Sequence, residues 1–297
     1  MNSPRSLELA GLQQQLADAG YIAEPSLSAA LLLMQDLGRP LLLEGDAGVG
    51  KTEVAKVLAA VRHTRLIRLQ CYEGLDAHAA MYEWNYQRQL LAIKLLEHDE
   101  RGIAQKEQDI FSERYLLKRP LLEALGCEQP PVLLIDEVDR ADEAFEAYLL
   151  ELLSDFQLSI PELGTVHAVS RPLVVITSNG VRELSDALRR RCLYQYIDYP
   201  DHDKELAIVR KKAPDAPEAL ARQIVAFVQG VRRMDLQKKP GIAETLDWTA
   251  ALLRLGISVI DIDGATRILD TLSALIKTRD DRAAFPREAV ARLAATC

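Results

Sequence analysis

The chain has 297 residues, 48% of them hydrophobic and 27% charged, with a formal net charge of −8. That length and balance suit a soluble globular protein able to bury a full core in one large domain or two smaller ones. The acidic balance argues against a broad nucleic-acid surface, and the four scattered cysteines and five histidines show neither a Cys-x-x-Cys pair nor metal-ligand spacing. Apolar residues at helical spacing from Leu7 to Ala19, closed by Gly20, predict a first helix. Pro25 to Leu37 predicts a second, with proline near its start and Gly38 just past its end. The run Leu31-Leu32-Leu33-Met34 is too short to span a bilayer, and Met1 to Leu16 lacks the apolar core of a secretory leader. A reduced, cytoplasmic setting without a membrane span is the expectation.

Leu41 to Leu43 reads as a short buried strand, and a helix-forming stretch from Glu53 continues to Val61. Between them stands Gly45-Asp46-Ala47-Gly48-Val49-Gly50-Lys51-Thr52. Strand, glycine-rich loop and helix in that order are the context of a phosphate cradle. The glycines let several backbone N–H groups turn inward, and the positive end of the following helix adds to them. Lys51 would reach the β- and γ-phosphates, and the Thr52 hydroxyl would hold Mg²⁺.

Further strands are predicted at Leu66 to Leu69, at Val132 to Ile135 behind Pro130-Pro131, at Leu173 to Thr177 and at Leu193 to Ile197. Helical stretches, notably Glu143 to Leu153, separate most of them. The fold class is therefore α/β, a parallel five-stranded sheet flanked by helices. Beyond Tyr199-Pro200 only helices are predicted, at Lys204 to Lys212, Pro217 to Arg233, Thr245 to Leu255 and Gly264 to Lys277. A domain boundary near Pro200 follows, with residues 1–199 as nucleotide-binding core and 200–297 as helical lid.

Val132-Leu133-Leu134-Ile135-Asp136-Glu137 is an apolar strand that ends in two acids. Asp136 fits a carboxylate that binds Mg²⁺ through water, and Glu137 fits a general base for the attacking water. Asn179, at the end of the next strand, can orient that water, although Ser-Asn-Gly is also turn chemistry. In Arg189-Arg190-Arg191, one arginine can reach a neighbouring subunit's γ-phosphate. Arg191 is favoured, then Arg190, against the plain reading of a solvated face.

In this order the motifs resemble those of AAA+ ATPases: GDAGVGKT at 45–52, VLLIDEVD at 132–139, TSN at 177–179 and ALRRRC at 187–192, then a helical lid. The loop GDAGVGKTE is similar to that of the MoxR branch, especially its CoxD-like members. The resemblance implies ATP and Mg²⁺ as cofactors, a homo-oligomeric ring of six subunits and a chaperone-like action on a client protein. For CoxD-like members the client is a molybdenum-containing hydroxylase, and a VWA-domain partner is implied beside it. It also implies that Tyr21 and Ile22 line an adenine pocket; an ordinary helix linker is the competing reading.

Two length features fit that branch. An insert falls within about 74–126, containing Met81 to Tyr86 and then a charged helix expected to reach Arg101. A β-hairpin is predicted from Asp155 to Arg171. Tyr82, Trp84 and Tyr86 could grip a polypeptide, pack locally against the sheet or stack on single-stranded nucleic acid, the last disfavoured by the acidic balance. One departure concerns the lid: the position that aligns with the family's γ-phosphate arginine is Ala243, with Lys238 and Lys239 as the nearest cations. A nucleic-acid motor or loader, a Rubisco-activase-like remodeller and a nucleotide-gated scaffold are the alternatives on the same core.

Overall fold

The computed structural model describes residues 4–76, 80–95 and 102–297. The chain divides into two compact units, one of Pro25–Glu44 and Ala55–Gln195, the other of Met1–Glu24, Gly45–Val54 and Tyr196–Cys297.

The first unit holds the sheet. Its strands are β1 (Leu41–Glu44), β2 (Leu66–Gln70), β5 (Val132–Asp136), β8 (Leu173–Ser178) and β9 (Leu193–Tyr196), in the spatial order β2-β5-β8-β1-β9. β1 pairs with β8, β8 with β5 and β5 with β2, all parallel. Every residue of β5 is buried. That is why it reads as an unbroken apolar run: helices cover both faces, and no solvent side is left to alternate with. Helix α7 (Glu143–Asp155) opens on Asp142, whose carboxylate accepts from the Phe145 N–H at 2.8 Å. Its buried Phe145, Leu149, Leu152 and Leu153 recur at helical spacing and join the core of this unit.

Two excursions leave the sheet. The expected hairpin forms from β6 (Gln157–Ile160) and β7 (Gly164–His167), with Leu158 opposite Val166. The insert, expected as helical, also contains a two-stranded antiparallel ribbon of β3 (Tyr82–Trp84) and β4 (Leu116–Lys118). The reason is a short period of two: Tyr82 and Trp84 are buried while Glu83 between them is exposed. Trp84 meets Phe111 edge-on at 5.4 Å. Tyr82 and Trp84 therefore pack locally, and Tyr86 alone of the three is exposed. The helix expected to reach Arg101 is seen as α4 (Tyr86–Leu95), and residues 96–101 lie outside the described residues.

The second unit is helical, with α1 (Pro4–Asp18), α9 (His202–Lys212), α10 (Glu218–Arg232) and α11 (Ile242–Arg254) followed by α12 (Ala265–Thr271), α13 (Arg279–Ala283) and α14 (Arg287–Ala294). Phe227 and Trp248 stack in its core at 4.9 Å, and the Trp248 indole donates to Thr271 Oγ1 at 2.7 Å. The helix expected to run to Lys277 stops at Thr271 and tightens into a 3-10 turn at Leu272–Ala274. Helices α13 and α14 are additions to the predicted set. Both are short: Thr278 caps the first through the Asp281 N–H, and Pro286 precedes the second.

The C-terminal segment of the second unit starts at Tyr196. Met1–Glu24 and the loop Gly45–Val54 group with the C-terminal helices. Lys204 pairs with Glu24 at 2.6 Å, Lys212 with Glu53 at 3.5 Å, and the Ile242 N–H donates to the Gly48 carbonyl at 2.9 Å.

Candidate functional site: a phosphate loop and an acid pair

The loop Gly45 to Thr52 leads from β1 into helix α3 (Lys51–Val61). Lys51 is buried and donates from Nζ to the carbonyls of Gly45 at 2.6 Å and Asp46 at 2.7 Å. The lysine thus braces the turn whose amides would face phosphate. Val49 is buried beneath it. Gly45 is required by close approach, since a β-carbon there would come within 2.1 Å of the Ile197 carbonyl oxygen. Gly48 has a φ of +81° and faces Gly241, whose α-carbon stands 3.1 Å from where a Gly48 β-carbon would be.

Asp46 accepts a hydrogen bond from the Tyr199 hydroxyl. Burial, seconded by the Asp46 charge, pushes that hydroxyl up to about 12. The Arg232 guanidinium lies 5.0 Å over the Tyr199 ring. Tyr21 and Ile22 are half-buried, and the Tyr21 ring comes 3.8 Å from the β-carbon position of Gly50. Burial, with Glu24 and Glu53 adding to it, raises the Tyr21 hydroxyl above its usual range.

At the start of α11, the Gly241 N–H donates to Glu244 Oε2 at 3.0 Å. Ala243, Lys238 and Lys239 are exposed. The nearby Arg232 is committed elsewhere: it is buried and donates to both oxygens of Glu205 at 2.6 Å and to the Pro240 carbonyl at 2.7 Å.

The acid pair lies in the sheet unit. Asp136, 2% exposed, accepts from the Thr177 hydroxyl on Oδ1 at 2.6 Å. Its Oδ2 accepts from Arg68 Nε at 3.0 Å and Nη2 at 2.5 Å. Glu137 follows with φ +55°, a left-handed backbone that few non-glycine residues adopt. Its N–H donates to Thr177 Oγ1 at 2.8 Å, so one hydroxyl ties both acids to β8.

Three groups address the Glu137 carboxylate. Asn179 Nδ2 stands 3.3 Å from Oε1, while Gln70 Nε2 at 3.1 Å and Arg140 Nε at 2.8 Å reach Oε2. Asn179 is itself held from behind, because buried Asp139 accepts from the N–H groups of Asn179 at 3.1 Å and Val181 at 2.9 Å. A carboxylate with an oriented amide beside it is what a base for an attacking water requires.

The arginine run sits on the short helix α8 (Asp186–Arg191), capped by Ser185. Arg189 lies 3.3 Å from Glu44. Arg191 donates to Ser154 Oγ at 2.5 Å and to the Ala187 carbonyl at 3.1 Å. The Arg190 side chain is 82% exposed, with Asp186 3.7 Å away. The structure thus brings Asp136, Glu137 and Asn179 together by direct bonds and places the arginines on a separate element.

Thr52 in one unit offers a hydroxyl and Asp136 in the other a carboxylate, each a hard oxygen donor of the kind Mg²⁺ takes. Among the described residues no group of three or more His, Cys, Asp or Glu forms a metal cage. Mg²⁺ at nucleotide sites needs only one or two protein oxygens beside phosphate and water, and an oxygen of either kind suits it chemically. No helix among the described residues is long and apolar enough to cross a membrane.

Sequence reading missed Arg68, Gln70, Thr177, Asp139, Arg140 and Gly241. The one local signal was the alternation in β2, where Ile67 and Leu69 are buried while Arg68 and Gln70 share the exposed face.

Residues 40–192 match the family model of the AAA domain (dynein-related subfamily). The chain is 27% identical over 248 residues to the uncharacterized protein SH1500 of Staphylococcus haemolyticus, covering 80% of this chain and 86% of that one. It is 27% identical over 215 residues to the gas vesicle ATPase GvpN1 of Halobacterium salinarum, covering 68% of this chain and 59% of that protein. Among solved structures, the Thermotoga maritima RuvB Holliday junction branch migration motor is 21% identical, with 91% of this chain and 71% of that chain covered and a TM-score of 0.44.

Proposed function

The chain belongs to the dynein-related subfamily of AAA domains and is an ATPase, and from that premise we propose that its hydrolysis drives remodelling of a client protein. The observation that carries the hydrolytic half is the amide of Asn179 beside the carboxylate of Glu137.

In this reading the backbone of Gly45 to Gly50 and the Lys51 ammonium bind the phosphates, with Asp46, Ala47 and Val49 shaping the turn. Thr52 and Asp136 hold Mg²⁺, which neutralises phosphate charge when bound. Glu137 takes the proton of the attacking water, and Asn179 orients that water. Tyr21 and Ile22 line the adenine side. Arg190, turned to solvent, is the arginine best able to reach a neighbouring subunit in a ring. Arg191 serves only if it leaves Ser154.

The remodelling half rests on the similarity to MoxR-type members and on the two excursions, the ribbon of β3 and β4 and the hairpin of β6 and β7. A six-membered ring acting on a metalloenzyme client, in the manner of CoxD-like proteins and with a VWA-domain partner, is the specific form we propose.

The test is a Glu137→Gln trap. With ATP present the variant retains nucleotide and assembles, and affinity purification recovers a client together with the mass of the ring. A monomer that recovers no protein overturns the remodelling reading. Salt-sensitive single-stranded DNA binding with stimulated turnover would replace it by a nucleic-acid motor.

A further inference from the structure

We propose that Arg68 competes with the divalent cation for Asp136 and so sets the Mg²⁺ concentration at which the ATPase engages nucleotide. The inference rests on the reading of Asp136 as the cation's carboxylate.

Asp136 is almost completely buried at the end of β5. A buried carboxylate requires a counter-charge or several donors. Its Oδ1 is taken by the internal bond from Thr177, and the counter-charge arrives at Oδ2 through two nitrogens of one guanidinium, Arg68 Nε and Nη2. That guanidinium has come some way to do so. In the β2–β5 register Arg68 lies opposite Leu134, and the residue opposite Asp136 is Gln70. Arg68 therefore leans two residues along the strand, and Gln70 Oε1 braces it by accepting from Nη2.

The two partners differ in accessibility. The Asp136 side chain is buried, while that of Arg68 is 49% exposed on an edge strand. Releasing the arginine returns an already half-exposed guanidinium to water at small cost, and the entering cation supplies the counter-charge that buried Asp136 requires. A cation or its bound water would address the same oxygen lone pairs. Two positive charges cannot share that oxygen without strong repulsion, so the contacts alternate. Arg68 keeps the acid neutralised and correctly turned, and yields to a doubly charged ion.

The experiment follows binding of a fluorescent ATP analogue to the full chain while Mg²⁺ is titrated. Wild type, Arg68→Ala, Arg68→Gln and Asp136→Asn are compared, and circular dichroism reports their fold. Removing a screened competing charge should lower the half-saturating Mg²⁺ concentration about fivefold in Arg68→Ala. Arg68→Gln, which keeps a donor without the charge, should move the same way, and analogue affinity in EDTA should stay at the wild-type value. An unchanged or raised Mg²⁺ requirement in both arginine variants overturns the proposal. So does an equal affinity change in EDTA, which would place Arg68 on the nucleotide instead of the cation. If Asp136→Asn shifts the Mg²⁺ curve and the arginine variants do not, the competition alone fails. If Asp136→Asn leaves the curve unmoved, the cation reading fails and this inference with it.

Discussion

Asn179 and Glu137 meet across the ends of two adjacent parallel strands, the amide nitrogen 3.3 Å from the carboxylate oxygen. Neither side chain sets that distance alone. Glu137 is aimed by its left-handed backbone and by its N–H bond to Thr177, while Asn179 is anchored through its own N–H by Asp139. The pair is thus fixed by backbone bonds from two strands.

On the proposed reading, Glu137→Gln lowers ATP turnover by about a hundredfold or more while nucleotide binding survives, because it removes the carboxylate proposed as general base and leaves residues 45–52 untouched. On the same reading Asn179→Ala costs about tenfold, since Glu137 remains and only its orientation loosens. Steady-state phosphate release beside a binding titration separates the two effects. Turnover unchanged in Glu137→Gln would remove Glu137 from the mechanism.

Gly241→Ala should destabilise the protein. The added β-carbon would meet three backbone atoms of Gly48 at 2.7 Å, and backbone cannot rotate away as a flexible side chain can. Overpacking of this kind costs about 1–3 kcal/mol. The natural control is Gly11→Ala in the exposed middle of α1, where no atom lies within 4 Å and helix propensity favours alanine. Thermal unfolding should show a lower midpoint for the first variant and an equal or higher one for the second.

The sheet was legible because its strands are buried on both faces. Leu41 to Leu43, Val132 to Ile135 and Leu173 to Thr177 read as apolar runs, and the structure extends each by only one residue. The glycine-rich turn between β1 and α3 and the strand end at Asp136–Glu137 were legible because each is contiguous in sequence. Arg68 and Gln70 were not, because their partners lie on a strand distant in sequence, and the pattern of β2 alone does not give its register against β5. The same holds for Gly48 and Gly241, whose contact depends on tertiary folding. Tyr82 and Trp84 were ambiguous because an aromatic side chain serves equally as core or as anchor, and only burial distinguishes the two. Nothing in the run Arg189-Arg190-Arg191 shows that Arg191 bonds Ser154 while Arg190 lies beside Asp186.

Arg232→Met should be among the most destabilising single changes in the helical unit. Arg232 and Glu205 are 6% and 0% exposed, and removing the arginine strands a buried carboxylate with the neutral donors Thr245 and Gln229 in place of its counter-charge. Breaking such a pair from one side costs about 3–5 kcal/mol. The double variant Arg232→Met with Glu205→Leu should recover much of the loss, because no charge is left behind. A double-mutant cycle by chemical denaturation checks this, and additive losses would show that the two residues are not coupled.

The last expectation concerns alkaline pH. Burial first, then Asp46, raises the Tyr199 hydroxyl from an ordinary 10.0 to about 12, against an opposing pull from Arg232. Burial likewise raises the thiols of Cys71 and Cys192 from 9.0 to about 12. In each case the folded protein keeps a proton that the unfolded chain has already released. The resulting stability is complete below the unfolded pKa and is lost as pH climbs to the folded one. Thermal midpoints should therefore begin to fall above about pH 9 as the unfolded thiols ionise, and fall more steeply above about pH 10 as the tyrosine joins them. Tyr199→Phe has no proton to lose, so its decline above pH 10 should be shallower than that of wild type. Parallel curves for the two proteins would show that Tyr199 releases its proton equally easily in both states, and that its bond to Asp46 does not hold the phosphate loop at high pH.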